Sequence, residues 1–346
     1  MKALVLTELG KVVYQEYPDP VLTVEHNVLV RVKAVGICGS DVQGFLGRTG
    51  RRVPPMIMGH EMSGEVVAIL SGTASPYGLA VGDSVVILPF VNCRECGPCC
   101  EGRTNFCQRP LEYYGILQDN GGMCDYISIA SRQLVKIPKE IDYRYAALAE
   151  PLAVAYSGTK KVCGDSLSPV LLLGAGTIGL LALGSLQSLG FRNIVVCDAN
   201  PRRLELARKM GAGVVVAPEL LQDASWIATV TKGNGFKAVL DAVGVPATYS
   251  AGIKVAAIGA TLVWIGNACK SYEISIPDLV MRELTVKGSF IYSESEIKEA
   301  ICMIVENRID LTDFIELVLP MERGAEAFER LANNKEDIVK AILVND

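Results

Sequence analysis

Cys93, Cys96, Cys99 and Cys107 form a Cys-x2-Cys-x2-Cys-x7-Cys run. Three thiols at two-residue gaps, then a fourth one short loop later, can surround a single tetrahedral Zn²⁺. Thiolate sulfur suits zinc, and four thiolates fill every coordination position. Such a closed site organises a loop and does no chemistry. A disulfide cluster is the competing reading, and it fits poorly in a large chain with no secretory signal upstream. Cys100 adjoins the third ligand and competes with it for assignment.

A second pattern is Val170-Leu-Leu-Leu followed by Gly174-Ala175-Gly176-Thr177-Ile178-Gly179. Alone, G-x-G-x-x-G is a weak signal. Here it follows an apolar strand, opens a helix, and precedes a second strand that ends at Asp198. Gly174 permits the tight turn, Gly176 lets the backbone approach a pyrophosphate, and Gly179 lets helix and strand pack closely. The helix start at Thr177 and Ile178 offers N–H groups and a positive dipole end to phosphates. Asp198 lies 19 residues past Gly179. A carboxylate there accepts from the ribose hydroxyls and repels a 2′-phosphate, which favours NAD over NADP. Arg202 and Arg203 weigh the other way, because either could hold a 2′-phosphate.

The chain has two histidines, His26 and His60. His60 sits in Gly59-His60-Glu61, Cys38 in Gly36-Ile-Cys38-Gly39-Ser40-Asp41, and Glu150 in Ala149-Glu150-Pro151. Taken one at a time, these residues carry ordinary readings: a core cysteine, a hydrogen-bonded histidine, a surface glutamate. Together with the four-cysteine run and the glycine loop, in this order, they resemble the zinc-dependent medium-chain dehydrogenases over essentially the whole chain. Glu61 after His60, Glu150-Pro151 and Gly288-Ser-Phe-Ile-Tyr292-Ser suggest the polyol branch, which includes sorbitol, galactitol-1-phosphate and related sugar-alcohol or sugar-acid dehydrogenases.

The resemblance implies two zinc ions, one structural and one catalytic, with NAD as cofactor. Cys38 and His60 are then ligands of the catalytic ion, and Glu61 or Glu150 completes its shell, directly or through water. A three-ligand zinc keeps one position open and supplies Lewis acidity to an alcohol or carbonyl oxygen while hydride passes to or from nicotinamide. Ser40 stands where the family's hydroxyl proton relay begins. Many members have a histidine at the position of Gln43, so the outward proton route here is open, with water or the nicotinamide ribose hydroxyl as candidates. His26 matches no motif and reads as a surface residue before a strand.

Arg48, Arg51 and Arg52 crowd the loop after Asp41, although net charge is −5. A solvated basic loop is one reading. Capture of a substrate phosphate or carboxylate is the other, since arginine binds both in bidentate fashion. Within the enzyme class, a threonine-type or other secondary-alcohol dehydrogenase is the alternative to a polyol dehydrogenase. A zinc-free reductase of the same fold would lack the cysteine and histidine set. A non-enzymatic zinc or nucleotide binder is the distant rival.

These residues need a scaffold, and the 346 residues suffice for about two domains. Half the residues are hydrophobic, so a sizeable core is available. The negative charge and lack of a long basic run argue against nucleic acid or an anionic membrane surface as partner. No apolar stretch reaches the roughly eighteen residues of a membrane span. Eleven cysteines without a signal peptide point to a reducing cytoplasm. Cys124, Cys163, Cys197, Cys269 and Cys302 read as buried small hydrophobes.

Residues 1–150 read as short strands separated by turns, including 29–35, 65–70 and 83–88. From 170 onward apolar strands alternate with helices. The strands are 170–173, 194–197, 214–216, 238–240 and 262–265, and the helices 202–210, 222–231 and 246–257. Such alternation implies a parallel doubly wound sheet. A helix near 323–332 and a strand at 338–344 follow. With the resemblance, the fold expected is α/β: a GroES-like β-rich catalytic domain (1–152 plus 296–346) and a Rossmann domain (153–295). The resemblance implies a homodimer or homotetramer, and the apolar edge segment 284–290 is its candidate pairing element.

Overall fold

The computed structural model describes residues 1–71, 78–110, 112–117, 120–162, 166–333 and 335–345. Two compact units emerge: Met1–Glu150 with Ile304–Glu306 and Leu311–Asp346, and Pro151–Met303 with Asn307–Asp310.

The first unit is built on the strand Val28–Ile37. Its early residues alternate between buried and half-buried, and its last four are all buried, because the strand runs through the centre of a sheet. Glu61–Ile69 pairs antiparallel on one side and Ala341–Val344 on the other. Ser84–Ile87 and Leu134–Ile137 extend the first edge, Leu317–Pro320 the second, and Tyr126–Ile129 also pairs with Val28–Ile37. The tail strand thus belongs to the first unit's sheet. Val30, Val32, Met62, Val66, Val85 and Phe328 fill the core beneath it.

This unit is less purely β than its sequence suggests. A short helix, Gly39–Phe45, follows the central strand despite two glycines. Cys38 caps it: Ser40 N–H donates to the Cys38 sulfur at 3.5 Å, and Cys38 N–H donates to the Asp41 carboxylate at 3.1 Å. That reciprocal pair satisfies two backbone donors that helix propensity alone would leave open.

The second unit carries six parallel strands in the order Val214–Val216, Ile194–Cys197, Val170–Leu173, Phe236–Asp241, Ala256–Trp264, Thr285–Gly288. In chain order this is 3-2-1-4-5-6, the dinucleotide-binding arrangement. Val170–Leu173 and Ile194–Cys197 are buried at every position, as strands covered on both faces must be. Thr177–Ser188, Pro201–Lys209, Ala224–Thr231 and Pro246–Val255 are helices. The fifth strand starts at Ala256, not Leu262. Gly259, at φ +72°, interrupts its apolar pattern, and the register with Phe236–Asp241 slips there.

The division near the C-terminus departs from expectation. Residues 296–303 and 307–310 group with the second unit. Helix Glu294–Val305 was not anticipated, and Glu296 lies 3.5 Å from Lys160. A Cβ on Gly184 would come within 2.7 Å of Ile309, so this segment is packed tightly against the nucleotide-type helix Thr177–Ser188.

Among the described residues, no helix is long and apolar enough to cross a membrane. Cys124 and Cys197 are buried, but Cys269 is half-buried and Cys302 exposed, which corrects the reading of all as core hydrophobes. Cys163 lies outside the described residues.

Candidate active site and zinc loop

Strand register assembles the candidate metal centre. Gly36 pairs with Glu61 and Ile37 pairs with Ala341. The end of one strand therefore delivers Cys38, the start of the next delivers His60 and Glu61, and the start of the tail strand delivers Lys340. Ligand atoms of Cys38, His60 and Glu61 all lie within 4.8 Å of one another. Gly59 turns the chain into His60 at φ +95°, a conformation glycine adopts without strain. Gly36 has no side chain because a Cβ there would collide with the Glu61 carboxylate.

His60 is buried, and its Nδ1 faces Asp41 Oδ1 at 3.4 Å. Burial opposes protonation of the ring, yet Asp41 and then Cys38 outweigh it and hold the pKa well above the ordinary histidine value in the metal-free chain. Asp41 is itself fully buried. Burial would raise its carboxyl pKa, but His60 and Arg52 bring it down to about 2. Tyr113 stacks edge-on to His60, with ring centroids 5.9 Å apart.

Glu150 is not part of the 4.8 Å group; its carboxylate accepts the Tyr113 hydroxyl at 2.6 Å. Of the two glutamates, the structure therefore places Glu61 at the Cys38–His60 pair. Lys340, buried, is ion-paired with Glu61 Oε2, while Glu61 Oε1 is buried with no hydrogen-bond partner among the described residues.

The three loop arginines separate. Arg48 and Arg51 are exposed, and Arg48 reaches the side chain of exposed Gln43 at 3.5 Å. Arg52 is buried, donating to Asp41 Oδ1 at 2.6 Å and to Ser40 Oγ at 3.2 Å. The expectation of Arg52 as a substrate anion receptor is thereby corrected, because an internal carboxylate already holds its guanidinium. Asp41 stood within the Gly36–Asp41 motif but received no role. Lys340 and Tyr113 carried no sequence signal, since only pairing between distant segments brings them in. His26 is half-buried, with Nε2 3.0 Å from the Tyr114 hydroxyl.

Cys93, Cys96, Cys99 and Cys107 converge with sulfurs within 4.8 Å of one another. Backbone N–H groups point at the thiols: Glu95 and Cys96 donate to Cys93, Gln108 to Cys96, and Cys93 to Cys107. The Glu95 and Cys96 donors lower the Cys93 pKa to about 6, while burial pushes Cys99 up to about 12. Cys100 is exposed, its thiol turned to the Glu95 carbonyl, which removes it from the ligand list.

In the second unit Gly174 takes φ +97°, and a Cβ on Gly179 would collide with the Gly174 carbonyl. Gly176 caps helix Thr177–Ser188. Asp198 closes the loop from below: Oδ2 accepts Ala175 N–H at 2.7 Å and Oδ1 accepts Asn200 N–H at 2.8 Å. Asn200 in turn caps Arg202 and Arg203 N–H.

A six-stranded 3-2-1-4-5-6 sheet with a glycine-loop helix start, in the same chain as a β-rich unit bearing a Cys–His–Glu corner and a four-thiol loop, defines a zinc- and dinucleotide-type dehydrogenase architecture. The family described as alcohol dehydrogenase GroES-like domain matches residues 24–139, and that described as zinc-binding dehydrogenase matches 177–306. The chain belongs to the zinc-binding dehydrogenase family. It is 31% identical to D-xylulose reductase A of Aspergillus oryzae over 340 residues, 96% of this chain and 94% of that protein. Galactitol-1-phosphate dehydrogenase from Escherichia coli superposes with a TM-score of 0.89 at 26% identity, covering 100% of each chain. L-idonate 5-dehydrogenase from Escherichia coli K-12 does so at 0.85 and 26%, covering 99% of this chain and 98% of that one.

Proposed function

We propose that this protein is a zinc-dependent oxidoreductase that moves a hydride between a secondary alcohol of a sugar alcohol and NAD. The observation that carries the reading is the Cys38–His60–Glu61 corner. Sulfur, imidazole nitrogen and carboxylate oxygen are a zinc donor set, and Glu61 Oε1 is buried there with no hydrogen-bond partner among the described residues. Cys38, His60 and Glu61 would hold the zinc, which would supply Lewis acidity at the substrate oxygen. The four-cysteine loop suits a second, structural zinc. Gly174, Gly176, Thr177, Ile178 and Gly179 would hold NAD, with Asp198 as the acceptor for its ribose hydroxyls, and the nicotinamide would supply the hydride chemistry; Arg203 Nη1 lies near Gly176.

The chain's own residues have distinct tasks in this reading. Asp41, facing Nδ1, leaves His60 Nε2 for the metal. Ser40 hands the substrate proton onward. Glu150, through Tyr113, braces His60 instead of binding metal. The first unit serves as the GroES-like catalytic domain and the second as the dinucleotide domain. With Arg52 committed internally, only Arg48 and Arg51 remain for a phosphate or carboxylate, and a neutral sugar alcohol is the preferred substrate class. The described cysteines are all free, which suits the cytoplasm. The edge strand Thr285–Gly288, exposed at its two ends, suits a homodimer or homotetramer.

The test is a screen in both directions. D-xylulose, L-idonate, galactitol 1-phosphate and threonine, with the matching alcohols or ketones, are assayed with NAD(H) and NADP(H) alongside zinc content. Turnover of a neutral pentose or hexose pair with NAD(H), at two zinc per chain, is the expected result. Faster turnover of threonine, or of any pair with NADP(H), overturns the substrate or cofactor assignment. No turnover at full zinc content overturns the whole reading.

A further inference from the structure

Arg52 is the one arginine of its loop that is buried, and two independent features make room for it. Its side chain passes over Gly44, where a Cβ would collide with the Arg52 stem. Its guanidinium ends between Asp41 Oδ1 at 2.6 Å and Ser40 Oγ at 3.2 Å. Asp41 also accepts Cys38 N–H through Oδ2 and faces His60 Nδ1. One cation therefore touches the group that orients His60 and the hydroxyl two residues from Cys38.

We propose that Arg52 is a positioning residue for the metal corner, fixing Asp41 against His60 and Ser40 toward the reacting oxygen. The chemistry follows from the donor inventory. A guanidinium only donates, so Ser40 Oγ accepts from it, and the serine's own hydrogen is left to point elsewhere. Arginine stays protonated in proteins, so no proton passes from Ser40 to Arg52. When Ser40 takes the substrate's proton it gives its own to water or to the cofactor ribose, and proton count is conserved. Gln43 plays no part in this, because it is exposed and its carbonyl oxygen faces Arg48. The planar fork matters: it serves two acceptors at once, whereas a lysine ammonium is a point charge on a flexible stem.

This inference rests on the dehydrogenase reading, and the experiment separates the two. R52M, R52K, S40A and R52K/S40A are prepared as full chains. Zinc retention is titrated against a chelator, and kcat and KM are measured with whichever alcohol the parent oxidises. Loss of an outer-sphere partner of a metal ligand weakens the metal by about tenfold or more. Arg52 acts one contact further out, through Asp41, so R52M is expected to loosen one zinc of two by up to about that factor while the other is unchanged. R52K is expected to recover zinc retention, since an ammonium can face Asp41. Its kcat should remain about tenfold down with KM little changed, since it cannot also hold Ser40. In the S40A background R52K should then cost less than about threefold more, the sign of a shared pathway. R52M with both zincs and kcat near parent values overturns the proposal, as does a full R52K penalty in the S40A background. If R52M does not fold, R52K and its double variant decide. If the parent turns over no substrate, the hydride-transfer reading fails and zinc retention alone decides for Arg52.

Discussion

Lys340 and Glu61 stand 279 residues apart in the chain, and both are buried. A carboxylate removed from water is costly unless paired, and removing one partner of a buried pair typically costs about 3–5 kcal/mol. Lys340→Met should therefore lower stability by an amount of that order in urea unfolding of the zinc-free protein, where no metal compensates the Glu61 carboxylate. Adding Glu61→Gln to it should recover much of the loss, since the uncompensated charge is gone. A single Lys340→Met variant as stable as the parent would sink this account. Asp198 carries a different residue-scale prediction. It ties Ala175 and Asn200 N–H groups together, so Asp198→Ala should loosen the glycine loop as well as remove the proposed ribose contacts. At about 1 kcal/mol per hydrogen bond, KM for NAD should rise about tenfold, and the NAD/NADP ratio of kcat/KM should fall. An unchanged ratio would show that Asp198 only shapes the loop.

At the scale of elements, the thiol loop owes its shape to backbone donors aimed at sulfur. Cys96→Ser should bring metal content from two zinc per chain to one and lower the melting temperature, because metal binding and loop order are coupled. Unchanged zinc content would mean that other ligands hold the ion. Protons compete with zinc for thiolates, so acidification through about pH 6, where the metal-free Cys93 titrates, should speed zinc loss to a chelator. Helix Glu294–Val305 offers a metal-independent case. Ser293 N–H and hydroxyl both donate to Glu296 Oε2, at 2.8 and 3.0 Å. Burial would raise the Glu296 pKa, but these bonds and Lys160 lower it below the ordinary carboxylate value. A depressed folded pKa means stability that is complete above the unfolded value and lost as pH falls through the folded one. Glu296→Gln should therefore remove stability at neutral pH and narrow its gap to the parent as pH drops below about 4. A gap that widens in acid would reverse the assignment.

At the scale of the whole molecule, the nucleotide-type sheet ends at Thr285–Gly288. Ile276, Val280 and Met281, just before that strand, and Phe290 after it are exposed. An unprotected edge with apolar neighbours invites strand pairing with another chain. The parent should scatter light as a dimer or tetramer at micromolar concentration, and Val280→Asp with Met281→Asp should shift it toward monomer. A monomeric parent would dismiss the edge as an interface.

How much of this was legible beforehand differs by the range of the interaction. The thiol run and the glycine loop are local: ligand spacing and backbone conformation are set within a few residues, so Cys93 to Cys107 and Gly174 to Gly179 could be read directly. The strand–helix alternation after Val170 was equally plain, because burial on both faces leaves uninterrupted apolar strands. The candidate metal corner was visible only as separate motifs. Spacing could not choose between Glu61 and Glu150, since that choice depends on which strand end lies opposite Gly36. Nor could it show that Arg52 turns inward while Arg48 and Arg51 face solvent. The buried Asp41 carboxylate and the gap over Gly44 decide that. Lys340 had no sequence signal at all. Its role exists because the tail strand pairs with Val28–Ile37, and register between segments some three hundred residues apart is fixed by hydrophobic burial across the assembled sheet, which no local pattern encodes.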